Sequence, residues 1–259
     1  MSVPVRFRLP VPSPDKNIEG PPEVGFFVPP VSLKGVAAVF RSVIFDMDGV
    51  ISDSEPLHHE AERRLLAPFG VHLSRAQLES YTGMGLSAML ERFRSEFGLD
   101  VPAATLAARH HQALDDLFRE RVEPIPHALD LIRNFHRSGL MLAVGSSSAM
   151  RLIQRVLEKF EIASYFNAVV SGQDVPNGKP HPDIFREAAR RLGVGPGDCV
   201  VIEDSRNGVT AAVAAGMACI GFRSPNSPNQ DLSAADRIVP DLSEITVESL
   251  HTLFSAKRK

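Results

Sequence analysis

The stretch SVIFDMDGVISDSE, residues 42–55, decides how the rest of the chain is read. Val43, Ile44 and Phe45 make a short β-type run that ends abruptly in Asp46-Met47-Asp48-Gly49. Continuously apolar strands belong to sheets covered by helices on both faces. In such sheets, ligands bind beyond the carboxyl ends of the strands. Side chains i and i+2 of a strand share a face, about 6.5 Å apart. Asp46 and Asp48 can therefore serve one site. Taken alone the pair is also compatible with a solvated Asp-Gly turn.

Downstream, Leu57, Ala61, Leu65 and Phe69 recur every four residues, the pattern of an amphipathic helix, and Gly70 ends it. Helical patterns continue to about residue 120, where Pro124 and Pro126 punctuate the chain. Strand and helix then alternate. Strands are predicted at 140–144, 168–171, 199–202, 218–222 and 237–239, and helices at 149–160, 183–192 and 207–215. This alternation predicts an α/β fold with a doubly wound parallel sheet and right-handed crossovers. The predicted core spans residues 41–56 and 127–259. A helical cap domain, residues 57–126, is inserted after the first strand.

Polar residues stand just after the apolar runs. Ser146, Ser147 and Ser148 follow Leu142-Ala143-Val144-Gly145, and Glu203 and Asp204 follow Val200-Val201-Ile202. Lys179 lies in Gly178-Lys179-Pro180-His181-Pro182, just before a helix. Each has a plain structural explanation, since serines cap helices and acids favour helix N-termini. Their joint placement points to one crevice. Converging carboxylates repel, by on the order of 4 kcal/mol per pair at about 4 Å and an effective dielectric near 20. A cation relieves this, and an all-oxygen site suggests Mg2+. A lysine and a hydroxyl cluster suit the phosphate that Mg2+ favours as co-ligand.

The chain has 259 residues, 44% hydrophobic and 23% charged, enough for one large domain or a domain with an insertion. A net charge of -3 offers no nucleic-acid or anionic-membrane surface. No run approaches about 18 apolar residues, and no basic-then-apolar start marks a signal peptide. Cys199 and Cys219 sit in apolar runs and read as buried free thiols of a reducing compartment, so a cytoplasmic location is expected. Eight of the 20 prolines fall in residues 1–40, which read as a disordered leader.

With these residues in place, the chain resembles the haloacid dehalogenase superfamily of aspartyl-phosphate phosphotransferases over residues 42–245. It most resembles the β-phosphoglucomutase-like group of capped sugar-phosphate enzymes. Asp46-Met47-Asp48-Gly49-Val50, continuing through Asp53, is similar to the first motif of that superfamily, Ser146 to the second, Lys179 to the third and Glu203-Asp204-Ser205 to the fourth. The resemblance implies that Asp46 is the nucleophile. It implies that Asp48 protonates the leaving oxygen and then deprotonates water, which calls for a pKa above the usual value of about 3.9. Mg2+ would be held by Asp46, the backbone carbonyl of Asp48 and Asp204, with Glu203 in or beside the coordination sphere. Ser146, the Ser147 backbone and Lys179 would hold the phosphoryl oxygens. His58 matches a cap-hinge histidine that orients Asp48 or the substrate. Residues 82–87 would be the cap loop that selects the substrate, with Gly83 allowing close approach.

The chain departs from the mutases at one place. They carry an arginine shortly after the cap-loop glycine, whereas Leu86 stands at the matching position and the cap has no lysine. Arg119 or Arg121 could substitute. The expected function is a Mg2+-dependent phosphomonoester hydrolase acting on a small sugar or polyol phosphate. The alternatives are a β-phosphoglucomutase and a non-catalytic sugar-phosphate binder. The expected partner is a small phosphorylated metabolite, with no nucleic acid, no membrane and a monomer as the default.

Overall fold

The computed structural model describes residues 40–81 and 84–257. The expected leader, all but Phe40, lies outside the described residues, and so does Gly83. Six strands form one parallel sheet: β1 (Ser42–Phe45), β2 (Met141–Ser146), β3 (Ala168–Ser171), β4 (Cys199–Glu203), β5 (Ala218–Phe222) and β6 (Arg237–Val239). Their order is β3-β2-β1-β4-β5-β6. β1 is therefore central, and the chain reverses direction across the sheet on either side of it. β2 runs two residues beyond the predicted strand because Gly145 and Ser146 pair with Val170 and Ser171.

The strands are apolar on both faces because both faces are covered. Val43, Phe45, Val144 and Ile202 pack against α5 (Ala128–Arg137), α6 (Met150–Lys159) and α9 (Val247–Lys257) through Phe135, Ile153 and Phe254. Ile44, Ala143 and Val201 pack on α7 (Asp183–Leu192) and α8 (Arg206–Ala214) through Ile184, Phe185 and Ala212. Each fully buried side chain of this size contributes about 1.5–3 kcal/mol. Cys199 and Cys219 are buried and form no disulfide, as expected. The sequence reading passed over α5 and α9, although Leu131, Ile132 and Phe135 carry the helical spacing in α5. Among the described residues, no helix is long and apolar enough to cross a membrane.

Between β1 and α5 the chain forms a helical block of α1 (Glu55–Leu66), α2 (Arg75–Glu79), α3 (Leu86–Phe97) and α4 (Ala103–Arg121). Leu66, Leu78, Tyr81, Leu90, Phe93 and Leu106 form an apolar cluster within it. The near ends of α1 and α4 belong elsewhere: Leu57, Ala61, Leu114 and Phe118 join the cluster on the sheet. The described residues accordingly fall in a single compact unit. The chain enters and leaves the block side by side, with the Asp53 N–H donating to the Glu123 carbonyl at 2.9 Å and the Ile125 N–H to the Ile51 carbonyl at 3.0 Å. Arg151, in the first turn of α6, adds a cross-link by donating from Nε to both Asp115 carboxylate oxygens at 2.9 Å.

Candidate active site

Phe45 pairs with Val144 on one side and Ile202 on the other, and one step later the Asp46 N–H donates to the Ile202 carbonyl at 3.0 Å. The chain then folds around the Met47 carbonyl, which accepts from the N–H groups of Ile51 and Ser52, both at 2.9 Å. Met47, Val50 and Ile51 are fully buried and pin this loop to the core. Gly49 has φ 84°, and a Cβ there would lie 2.1 Å from Asp204 Oδ2. Only glycine lets the first loop approach the acid after β4 so closely.

Lys179 reaches in from the loop before α7. Its ammonium donates to Asp46 Oδ1 at 2.6 Å and to Glu203 Oε1 at 2.8 Å, and it stands 4.8 Å from the Phe185 ring centroid. The other Glu203 oxygen accepts from the Ser205 N–H at 2.6 Å and its hydroxyl at 2.9 Å. Ser205 in turn caps α8 by accepting from the Gly208 N–H. A Cβ at Gly208 would sit 1.7 Å from Glu203 Oε1, so glycine makes room for this carboxylate. Burial pushes the Asp46 carboxyl up to about 7, against the pull of Lys179. Burial, with Glu203 and Asp46 adding repulsion, raises Asp204 well above the ordinary carboxyl range. For Lys179, burial opposes the charged form, but Asp46 and Glu203 outweigh it and raise its pKa.

Asp48 is held differently. Oδ1 accepts from the Ser54 hydroxyl at 2.7 Å and lies 3.8 Å from His58 Nε2. Oδ2 accepts from the hydroxyls of Ser148 at 2.6 Å and Ser146 at 3.3 Å. Burial opposes ionisation, but His58, Ser148 and Ser54 outweigh it, so the Asp48 pKa is lowered. This corrects the expectation of a raised value: a carboxyl that accepts this many hydrogen bonds is stabilised in its charged form. Burial likewise opposes protonation of His58, but the hydrogen bond to Asp48 and its charge outweigh it and raise the histidine.

Asp46, Asp48, His58, Ser146, Lys179, Glu203 and Asp204 thus come together at the strand ends. The Ser147 side chain is exposed at the tip of the β2 loop. Ser54 has no place in the expected site, and Ser148, expected in the hydroxyl cluster for phosphate, instead donates to Asp48. The only signal for either was a hydroxyl beside a motif. Among the described residues, no three His, Cys, Asp or Glu side chains are grouped so that they could hold a metal by themselves. Asp46 and Asp204 with a backbone carbonyl are still a fitting donor set for Mg2+, which typically takes one or two carboxylates and completes its sphere with water and phosphate oxygens. The raised carboxyls of Asp46 and Asp204 express the same shortage of positive charge.

The family model described as "Haloacid dehalogenase-like hydrolase" matches residues 43–222. The chain is 31% identical over 212 residues to hexitol phosphatase B of Escherichia coli K12, covering 81% of this chain and 96% of that protein. It is 29% identical over 218 residues to the β-phosphoglucomutase of Bacillus subtilis, covering 82% and 94%. Among solved structures, CbbY from Rhodobacter sphaeroides in complex with phosphate superposes with a TM-score of 0.72 at 28% identity, over 80% of this chain and 96% of that one.

Proposed function

The chain belongs to the haloacid dehalogenase-like hydrolase family, and from that premise we propose a Mg2+-dependent phosphomonoester hydrolase acting on a small sugar or polyol phosphate. The observation that carries this is the buried contact of Lys179 with Asp46, beside an Asp48 held by three hydroxyls and His58. Asp46 attacks phosphorus, its new O–P bond replacing the ester P–O bond. Asp48 supplies the proton that the leaving alkoxide takes. Water then attacks the aspartyl phosphate while Asp48 takes its proton, releasing phosphate and restoring the Asp46 carboxylate.

Because Asp48 is held ionised, the proton it delivers must be drawn from its surroundings, and His58 is the neighbour able to carry it. Lys179, Ser146 and the Ser147 backbone hold the phosphoryl oxygens. Glu203, both of whose oxygens are engaged, orients Lys179 beside the coordination sphere. Asp46, the Asp48 carbonyl and Asp204 would hold Mg2+, which supplies charge neutralisation at the phosphoryl group when bound.

The helical block, residues 57–126, acts in this reading as a cap that selects the alcohol. Two observations favour hydrolysis over the mutase reaction, which needs a grip on a second phosphate. Leu86 is half-buried against the apolar cluster of the block. Arg119 pairs with Asp116 at the end of α4, where the Arg119 carbonyl meets Lys159 at 3.5 Å. Lys159 ends α6, about 13 Å along the helix from its start beside the serine loop. The hexitol phosphate specificity in the name of the E. coli relative supports a polyol phosphate as the substrate class.

The test is phosphate release over a panel of phosphorylated metabolites, with Mg2+ and with EDTA. Release from hexitol, hexose or glycerol phosphates, lost in EDTA and in Asp46→Asn, is expected. Interconversion of β-glucose 1-phosphate in the presence of a bisphosphate primer, much faster than release, would replace this reading with the mutase. Robust turnover by Asp46→Asn would remove the assigned nucleophile.

A further inference from the structure

Two polar side chains lie buried in the helical block with no structural use. Glu62 on α1 is 6% exposed and His110 on α4 is 4% exposed. Glu62 Oε2 and both ring nitrogens of His110 have no hydrogen-bond partner. Buried apolar residues share their helices, Ala61, Leu65 and Leu66 on α1 and Leu106 and Leu114 on α4, while the titratable groups that act on them are His59, His58, Glu55 and Arg63 for Glu62 and His58 and His111 for His110. Groups left unpaired in such surroundings cost stability, and each such group in a native protein asks for a reason.

Their position supplies one. Glu62 follows His58 by one turn of α1, and His58 reaches Asp48. Across the interface the His58 ring meets Phe118 of α4 at 5.9 Å, which sets the two helices side by side. α4 passes the serine loop at Asp115, whose carboxylate takes Arg151. His110 is five residues earlier on α4, about 7.5 Å further from the sheet. The charge of His58 is felt by both Glu62 and His110. Glu62 and His110 therefore both lie within electrostatic reach of His58, the side chain beside Asp48.

We propose that Glu62 and His110 form a polar subsite that hydrogen-bonds the hydroxyl groups of the substrate's unphosphorylated end, selecting neutral polyols. This rests on the phosphatase reading above. The chemistry fits hydroxyls: a neutral imidazole and a carboxyl each both donate and accept, whereas neither offers the fixed positive charge that a second phosphate or a carboxylate needs. Burial pushes Glu62 up to about 7 and His110 down to about 4, each in the direction of its uncharged form. Glu62 and His110 are closed to solvent here.

The test compares kcat/KM for glucitol 6-phosphate with kcat/KM for p-nitrophenyl phosphate, which has no alcohol groups. Glu62→Met and His110→Phe keep the volume and remove the polar atoms. Each is expected to lower the ratio of the two values at least tenfold, through KM for the hexitol phosphate, with an unchanged or higher Tm. Glu62→Gln and His110→Gln keep polar atoms and are expected to recover part of the ratio, and they serve if the apolar variants fail to fold. A ratio within twofold of the parent in folded variants overturns the subsite, even if both activities fall together. A parent enzyme that releases phosphate from neither compound overturns the phosphatase reading itself, and the subsite with it.

Discussion

The Lys179 ammonium lies 2.6 Å from Asp46 Oδ1, with the two side chains only 5% and 8% exposed. Removing one partner of a buried pair leaves an uncompensated charge, which typically costs about 3–5 kcal/mol. Lys179 also serves Glu203, so two carboxylates lose their partner together. Lys179→Met is expected to destabilise the protein by at least this amount and to abolish phosphate release. Urea unfolding and a phosphate-release assay read the two effects. A variant as stable as the parent would mean that the carboxylates are neutral in the folded protein.

Proton and cation compete for the same carboxylates. The Asp46 carboxyl is raised from 3.8 to about 7, and Asp204 is raised in the same direction. The folded state thus holds extra protons between pH 4 and 7, so the metal-free protein loses stability as pH rises through that window. A cation that displaces those protons binds better at high pH. Mg2+ is expected to raise Tm more at pH 8 than at pH 5.5, and Asp46→Asn should remove most of the difference. Equal shifts at both pH values would argue against these two ligands.

Gly49 and Gly208 make room for carboxylates rather than for turns alone. A Cβ at Gly49 would lie 2.1 Å from Asp204 Oδ2, and one at Gly208 1.7 Å from Glu203 Oε1. Gly49→Ala must also adopt φ 84°, at a cost of about 1–3 kcal/mol. Displacement of a site group by about 1 Å can cost on the order of 100-fold in rate. Both alanine variants are expected to lose at least that much kcat, with Gly49→Ala also melting earlier. Full activity in either would show that the site tolerates movement of its acids.

Glu62 and His110 give opposite pH signatures in stability. The raised pKa of Glu62, from 4.5 to about 7, makes stability fall as pH rises across that interval. The lowered pKa of His110, from 6.5 to about 4, makes stability rise over its own interval. Glu62→Gln is expected to exceed the parent by of order 2 kcal/mol at pH 8, with the gap closing toward pH 4.5. His110→Gln should lose less stability than the parent on going from pH 6.5 to pH 4. Urea midpoints at four pH values separate the two, and a pH-independent gap for Glu62→Gln would mean that this carboxyl titrates normally.

Much of this was legible without coordinates. The strands 168–171, 218–222 and 237–239 and the helix 183–192 stand where the sequence puts them, because apolar runs and helical spacing are local signals. The stations Asp46, Ser146, Lys179 and Asp204 were legible for the same reason, each standing just after an apolar run or in the loop before a helix. Ser54, the bond from Ser148 to Asp48 and the charge state of Asp48 were not. A hydroxyl becomes a donor to a particular carboxylate only when the chain folds back on itself, as Ser54 does after β1, or when the loop after β2 meets the loop after β1, as Ser148 does, and the Asp48 pKa is the sum of contacts from residues 6 to 100 positions away.

The sequence alone therefore determined the parallel α/β sheet, the helical insertion after β1 and the residue types at the strand tips, since periodicity and chain order suffice for these. Tertiary structure alone decided that Glu203 orients Lys179, that Leu86 packs inward, that the near ends of α1 and α4 share the core of the sheet, and that Glu62 and His110 are left buried without partners. The physical reason is that partners and burial depend on distances between segments far apart in the chain, and local pattern carries no record of those distances.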